Sequence, residues 1–272
     1  MHRARFIILL VTAASGLPGQ SPSWGGTGPF SLQPGLEAEI TAAGVSLLAA
    51  GRYYVSETRA PDPLTLSRGD VPGFDRIALD LHSGRAGNLS DRTVRACAFL
   101  ALFAAGSPLL VREEGVLSGT VVNLAMYAET MLLEQGLTAL AKGTVRRSRP
   151  YAYDASLPLD FRRERNAALS FWSGHTASAF AGAVFAGYVF QVRNPRSRYI
   201  APIWIAGMSA ATVTAVMRVR AGQHFPSDVA AGAVVGSFAG WVVPRLHRGR
   251  EHRVRVGSTV NGQPGLRILV SF

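Results

Sequence analysis

Arg218-Val219-Arg220-Ala221-Gly222-Gln223-His224-Phe225-Pro226-Ser227-Asp228 is the stretch on which the reading of this chain turns. It joins two apolar segments, Ile200 to Val216 and Val229 to Val243, both rich in small residues. Pro226 suits the first turn of a helix, so the stretch reads as a helix-to-helix turn carrying an arginine, a histidine and an aspartate. His224 and Asp228 stand four apart, one turn if helical. A carboxylate held against one imidazole nitrogen fixes the tautomer and leaves the other nitrogen as nucleophile or base. The same pair also fits a structural contact or part of a metal site. A metal site needs further His or carboxylate ligands at suitable spacing, and His82, His247 and His252 have no such companions along the sequence.

Three more apolar segments lie upstream: Ala96 to Val111, Leu117 to Leu140 and Thr176 to Val192. The second runs into Lys142-Gly143-Thr144-Val145-Arg146-Arg147-Ser148-Arg149-Pro150. Lys142 is the only lysine, against 27 arginines. Lysine is a compact point charge on a flexible stem, whereas arginine is a planar fork, so a site built for one does not accept the other. Lys142 and Arg149, seven apart on a segment that Pro150 terminates, can reach one anion from two sides. Arg146 and Arg147 read as a solvated or lipid-facing run. Ser173-Gly174-His175 opens the third segment. Backbone N–H groups at a helix N-terminus bind phosphate, and Gly174 allows close backbone approach. Ser173 fits a plain N-cap equally well, and His175 fits a buried structural histidine. Three cations, two histidines, an aspartate and a serine together suit phosphoryl transfer, in which cations hold the phosphoryl oxygens and histidines attack and protonate.

Composition narrows the setting. Apolar residues make up 48% of the 272 and charged residues 17%, below the roughly 25% usual for soluble domains. The net charge of +11 and pI near 10.9 point to phosphate-bearing partners. No zinc-finger spacing, RNP-like run or basic helical stripe argues for nucleic acid. Arginines cluster at segment ends instead, as membrane proteins show, while Asn123, Glu129 and Glu134 interrupt the second segment and count against insertion. The arginine-rich turns Gln191 to Tyr199 and Arg245 to Arg255 lie at the ends away from the motifs. By the positive-inside tendency the motifs then face outward, provided that the helical pattern Leu36 to Tyr54 does not span. Cys97, the only cysteine, excludes an intramolecular disulfide and reads as a buried small hydrophobe.

The chain divides as follows. Residues 1–18 form a signal peptide or N-terminal anchor, with a basic start, an apolar stretch and small residues. Residues 19–35 form a Gly-, Pro- and Ser-rich linker. Residues 36–250 form the helical domain, with a short helix near Phe74 to Leu81. Residues 251–272 alternate around Asn261-Gly262 and read as a β-hairpin.

The three motifs resemble those of the type 2 phosphatidic acid phosphatase superfamily, which also includes bacterial class A acid phosphatases and vanadium haloperoxidases. Its pattern is Lys-x6-Arg-Pro, Pro-Ser-Gly-His and Ser-Arg-x5-His-x3-Asp. Here Lys142, Arg149 and Pro150, then Ser173, Gly174 and His175, then Arg218, His224 and Asp228 match in order and spacing. Trp172 stands for the family's Pro and Met217 for its Ser, which puts rim geometry and substrate fit in doubt. The resemblance covers about residues 95–245. It implies an all-α bundle, which the apolar segments place in a membrane and to which the C-terminal hairpin, outside the resemblance, is appended. It implies His224 as a nucleophile forming a phosphohistidine, Asp228 as its orienting partner, and His175 as general acid and then base. Lys142, Arg149, Arg218, Ser173 and Gly174 would bind phosphate, with no metal or other cofactor. The expected activity is hydrolysis of a lipid phosphate or pyrophosphate, of the phosphatidic acid, phosphatidylglycerol phosphate or undecaprenyl pyrophosphate class. The alternatives are a soluble periplasmic acid phosphatase and a vanadate-dependent haloperoxidase, the one case that brings vanadate as cofactor. The implied location is the cell envelope with the site facing the periplasm, and the implied partners are a phosphorylated lipid and the membrane, without nucleic acid.

Overall fold

The computed structural model describes residues 28–111, 115–248, 254–260 and 263–270. The signal or anchor expected at 1–18 lies outside the described residues, as does most of the 19–35 linker. Among the described residues eight α-helices follow one another: α1 (Pro34–Ser56), α2 (Gly84–Ala105), α3 (Ser107–Val111), α4 (Val116–Val145), α5 (Leu159–Arg162), α6 (Gly174–Arg193), α7 (Ile200–Arg220) and α8 (Pro226–Leu246). Short 3-10 turns punctuate them, among them Gly73–Asp80 where a short helix was expected. After the helices, β1 (Val254–Val260) and β2 (Gln263–Val270) pair antiparallel with each other.

Helix α6 is the centre of the bundle, with α2, α4, α7 and α8 packed around it and α1 lying along α4. Its sequence suits that position, because Ala, Gly and Val leave little side-chain bulk between backbones. The contact with α8 is the closest. A Cβ on Gly236 would stand 2.0 Å from the Ala177 carbonyl oxygen, so only glycine permits this approach. The apolar core gathers Phe185, Val189, Met126, Val122 and Val243, with Phe30 closing it from the N-terminal side. Large apolar side chains also face outward, among them Phe99, Leu117, Ile205, Val234 and Phe238. Outward apolar faces of this extent mark contact with something other than water. Three helical segments, 116–153, 200–220 and 226–246, are long and apolar enough to cross a membrane.

One expectation is revised. Helix α2 begins at Gly84, not Ala96. Ser83 caps it by accepting from the Ala86 N–H, so a polar first half turned to the surface extends a helix whose apolar half alone was conspicuous. Two of the polar residues within α4 find buried partners. Asn123 donates to the Ala105 carbonyl and accepts from Arg193. Glu134 accepts from Thr138, Ser178 and Gln135. Paired in this way, each avoids the desolvation cost of an isolated buried polar group.

Candidate active site

Four helix ends meet at one end of the bundle: the C-termini of α4 and α7 and the N-termini of α6 and α8. Cations therefore sit where carbonyls accumulate, and the helix starts present N–H groups. Lys142 occupies the last turn of α4, and its Nζ donates to the Leu169 carbonyl at 3.1 Å. Arg149 is buried just beyond. Its guanidinium donates to Gln223 Oε1, to the Asn166 carbonyl and to Asn166 Oδ1. These contacts tie the segment after α4 to the turn after α7. That turn depends on Gly222, at φ +66°, where a Cβ would lie 2.2 Å from the Leu81 carbonyl oxygen. Arg218, in the last turn of α7, is buried. It reaches Ser90 Oγ at 3.5 Å, and its Nε is buried without a hydrogen-bond partner. A buried donor left unpaired is costly, so this nitrogen is a ready contact for an anion.

Ser173 is the N-cap of α6, accepting from the Thr176 N–H and Thr176 Oγ1. Gly174 begins the helix, where a Cβ would stand 3.2 Å from Thr138 Cγ2. The motif thus serves as cap and close approach at once. Trp172, in the place of the family's proline, donates from Nε1 to Thr138 Oγ1 at 2.7 Å and so docks the motif on α4. His175 Nε2 lies 3.1 Å from Asp91 Oδ1 on α2, a carboxylate that also stands 3.9 Å from Arg218. Burial first, then Arg218, lowers the His175 pKa to about 4, and the opposing pull of Asp91 is the weaker influence.

His224 is fully enclosed. Its Nδ1 stands 2.8 Å from the Ser170 carbonyl, which can only accept, so Nδ1 carries the proton and Nε2 keeps its lone pair. Burial, then the charges of Arg149, Lys142 and Arg218, holds its pKa well below the usual imidazole value. The site therefore keeps a neutral imidazole among three cations.

The direct orientation of His224 by Asp228 is corrected. The nearest Asp228 oxygen is 3.9 Å from Nδ1, too far for a hydrogen bond. The Asp228 oxygens are engaged elsewhere. Asp228 accepts from Arg147, from Ser170 Oγ and from the Phe225 N–H that caps its own helix. It acts on His224 at one remove, by fixing the serine whose carbonyl holds the ring. The reading of Arg147 as solvated is also corrected. Arg147 bridges Asp228 at 2.7 Å and Asp75 at 2.6 Å, and it lies over the Phe225 ring. Asp75 accepts in addition from the Ser227 N–H and hydroxyl. Sequence reasoning missed Asp75, Asp91, Arg147 and Ser170. Only Arg147 carried a local signal, two residues before Arg149 on a segment already singled out.

An open cavity of about 410 Å³ adjoins this cluster, lined by Lys142, Gly174 and His175 and also by Leu48, Arg52, Val55, Val94 and Ala139. Helix α1, outside the motif region, thus builds part of its wall.

Converging helix ends thus bring together buried cations, a neutral histidine and a guanidinium nitrogen without a hydrogen-bond partner among the described residues. The motif order places the chain more closely. The model of the PAP2 superfamily matches residues 123–251, a little under half of the chain. A lipid A 1-phosphatase of Porphyromonas gingivalis is 34% identical over 93 residues, which is 32% of this chain and 19% of that protein. The chain therefore spans about a fifth of that relative's length. The crystal structure of a transmembrane PAP2 type phosphatidylglycerolphosphate phosphatase from Bacillus subtilis superposes with a TM-score of 0.47 at 19% identity, covering 78% of this chain and 98% of that one.

Proposed function

We propose that this protein is a phosphatase that hydrolyses a lipid phosphate or pyrophosphate through a phosphohistidine on His224. The observation that carries the reading is the neutral His224, its Nδ1 proton committed to Ser170, beside Lys142, Arg149 and the unpaired Nε of Arg218. Nε2 of His224 attacks phosphorus as the bond to the leaving oxygen breaks. Lys142, Arg149 and Arg218 hold the non-bridging oxygens, with the Ser173 hydroxyl and the Gly174 N–H, where charge develops. His175 protonates the leaving oxygen and then takes a proton from the water that hydrolyses the phosphohistidine.

A pKa near 4 leaves His175 neutral in the empty site at neutral pH. Burial and then Arg218 and Lys142 depress it; a phosphate dianion offsets the part due to the cations, and Asp91 then favours the protonated ring. The acid is thus charged by the arrival of the substrate.

The apolar wall from Leu48, Val55, Val94 and Ala139 beside the phosphate-binding groups supports a lipid substrate, and so does the name of the Porphyromonas relative over the stretch it shares. We place the chain in a membrane, crossed by the three apolar segments with α6 running between them, so that the site lies at the outer face and the arginines of 191–199 opposite. Phosphate release from phosphatidic acid in mixed micelles, compared with release from glycerol 3-phosphate, tests the substrate class. A kcat/KM at least about tenfold higher for the lipid is expected, since each buried methylene adds roughly 0.8 kcal/mol. Preference for the soluble ester would overturn it.

A further inference from the structure

A second cluster of ionisable groups lies in the bundle, apart from the phosphate site. His247, directly after α8, is fully buried. Its Nδ1 stands 2.8 Å from the Val243 carbonyl, which fixes the proton there. Its Nε2 faces two carboxylates: Glu37 Oε1 at 3.0 Å, from the first turn of α1, and Glu129 Oε2 at 3.2 Å, from the middle of α4. All three ligand atoms lie within 4.8 Å of one another. Glu129 is more than nine-tenths buried, and its Oε2 has no hydrogen-bond partner. The sequence hid this cluster, because His247 meets its companions only across 210 and 118 residues.

One proton does not satisfy this arrangement; a second, on Glu129 and shared with Glu37, is needed to neutralise it. If Nε2 also carries one, it can be donated to a single carboxylate. Glu37 takes it, and Glu129 keeps an unpaired oxygen. The cluster then holds one positive and two negative charges in the interior, an expensive imbalance. A divalent cation removes both problems. It bonds Nε2 and both carboxylates at once, and its two charges cancel theirs. Ligands each about 2 Å from one zinc ion lie roughly 3 to 3.6 Å apart, which is the spacing Nε2 has to the two carboxylates. The carbonyl on Nδ1 is the outer contact that metal-bound histidines require. Mixed imidazole and carboxylate donors suit zinc or manganese better than calcium.

We propose that Glu37, Glu129 and His247 bind one divalent first-row cation of the zinc or manganese kind, clamping α1 and α4 to the end of α8. Glu129 precedes Lys142 by thirteen residues on one helix, about 20 Å. The cation therefore takes no part in phosphoryl transfer and acts by holding α1, one wall of the substrate cavity, in place. The full-length chain, prepared without a histidine tag and stripped with chelator, would be titrated separately with Zn2+ and Mn2+. Bound metal would be counted by mass spectrometry and unfolding followed by temperature. One equivalent of either metal per chain with a raised Tm is expected. Glu129→Gln and the more accessible Glu37→Gln should bind roughly tenfold or more weakly, while His82→Gln binds as the unaltered chain does. Absence of a stoichiometric equivalent, or equal binding in both glutamine variants, would overturn the proposal and leave a proton-bridged triad. Neither result bears on the phosphatase reading, because the measurement does not use turnover.

Discussion

Replacing Asp75 by Asn removes the far anchor of the histidine-positioning chain without touching any group placed around the phosphate. Asp75 accepts from Arg147, from the Ser227 N–H and from the Ser227 hydroxyl at 2.6 to 2.9 Å, and it is almost wholly buried. A hydrogen bond to a charged group contributes about 1.5 to 3 kcal/mol. The asparagine oxygen can still accept from Ser227, and Arg147 keeps Asp228, so the net loss should be roughly 3 kcal/mol. For a domain of this size that lowers Tm by about 6 to 12 °C. The catalytic effect runs through a chain of contacts. Arg147 shifts toward Asp228, Asp228 shifts Ser170, and the Ser170 carbonyl turns the His224 ring. Misplacing a reacting group by about 1 Å costs on the order of a hundredfold. We expect kcat for lipid phosphate hydrolysis in detergent micelles to fall about 30- to 100-fold, with KM changed less than about threefold, because the cations stay in place. Ser227→Ala, which keeps the Asp75–Arg147 pair, serves as the milder arm and should lose only about 1 kcal/mol. A kcat within about threefold of the unaltered enzyme in Asp75→Asn, at whatever Tm, would refute the relay from Asp75 to His224.

Three further outcomes follow from the same geometry. Lys142→Arg should stay folded yet lose about a hundredfold or more in kcat/KM, because a planar guanidinium does not fit beside the Gly174 helix start where an ammonium does; near-normal turnover would refute the shape argument. Both site histidines have folded pKa values below the ordinary value near 6.5, His175 at about 4. The unfolded chain therefore binds more protons than the folded one between pH 6.5 and 4, and stability is full above that window and declines as pH falls through it. Thermal melts should show this slope, and it should be shallower in the His175→Gln/His224→Gln double variant; an unchanged slope would contradict the pKa assignments. Vanadate should inhibit phosphate release competitively and support no bromide oxidation; bromide turnover would move the protein to the haloperoxidase branch.

The sequence was legible where the chemistry is local. Lys142 to Arg149, Ser173 to His175 and Arg218 to Asp228 are short spacings at helix ends, and they converge because four helix ends do. Helix α6 was legible for a related reason, since a run of Ala and Gly can only pack closely. What escaped was set by pairings across the chain. Arg147 looked like one of several exposed arginines because its partners, Asp75 and Asp228, lie 72 and 81 residues away. Asp91 sits in the polar half of α2, which carried no apolar pattern to mark it as helix. Asp228 was assigned to His224 on spacing alone. The backbone places the Ser170 carbonyl between their roles, an arrangement that side-chain spacing does not encode.

The most direct test of the central claim is to trap the covalent intermediate. The enzyme would be mixed with 32P-labelled lipid phosphate, quenched within milliseconds in alkali, and digested for peptide mapping. Label that survives alkali, is lost in acid and maps to the peptide containing His224, and is absent from His224→Ala, is the expected result. Phosphate release by His224→Ala at a rate near that of the unaltered enzyme, or label on any other residue, would contradict the account.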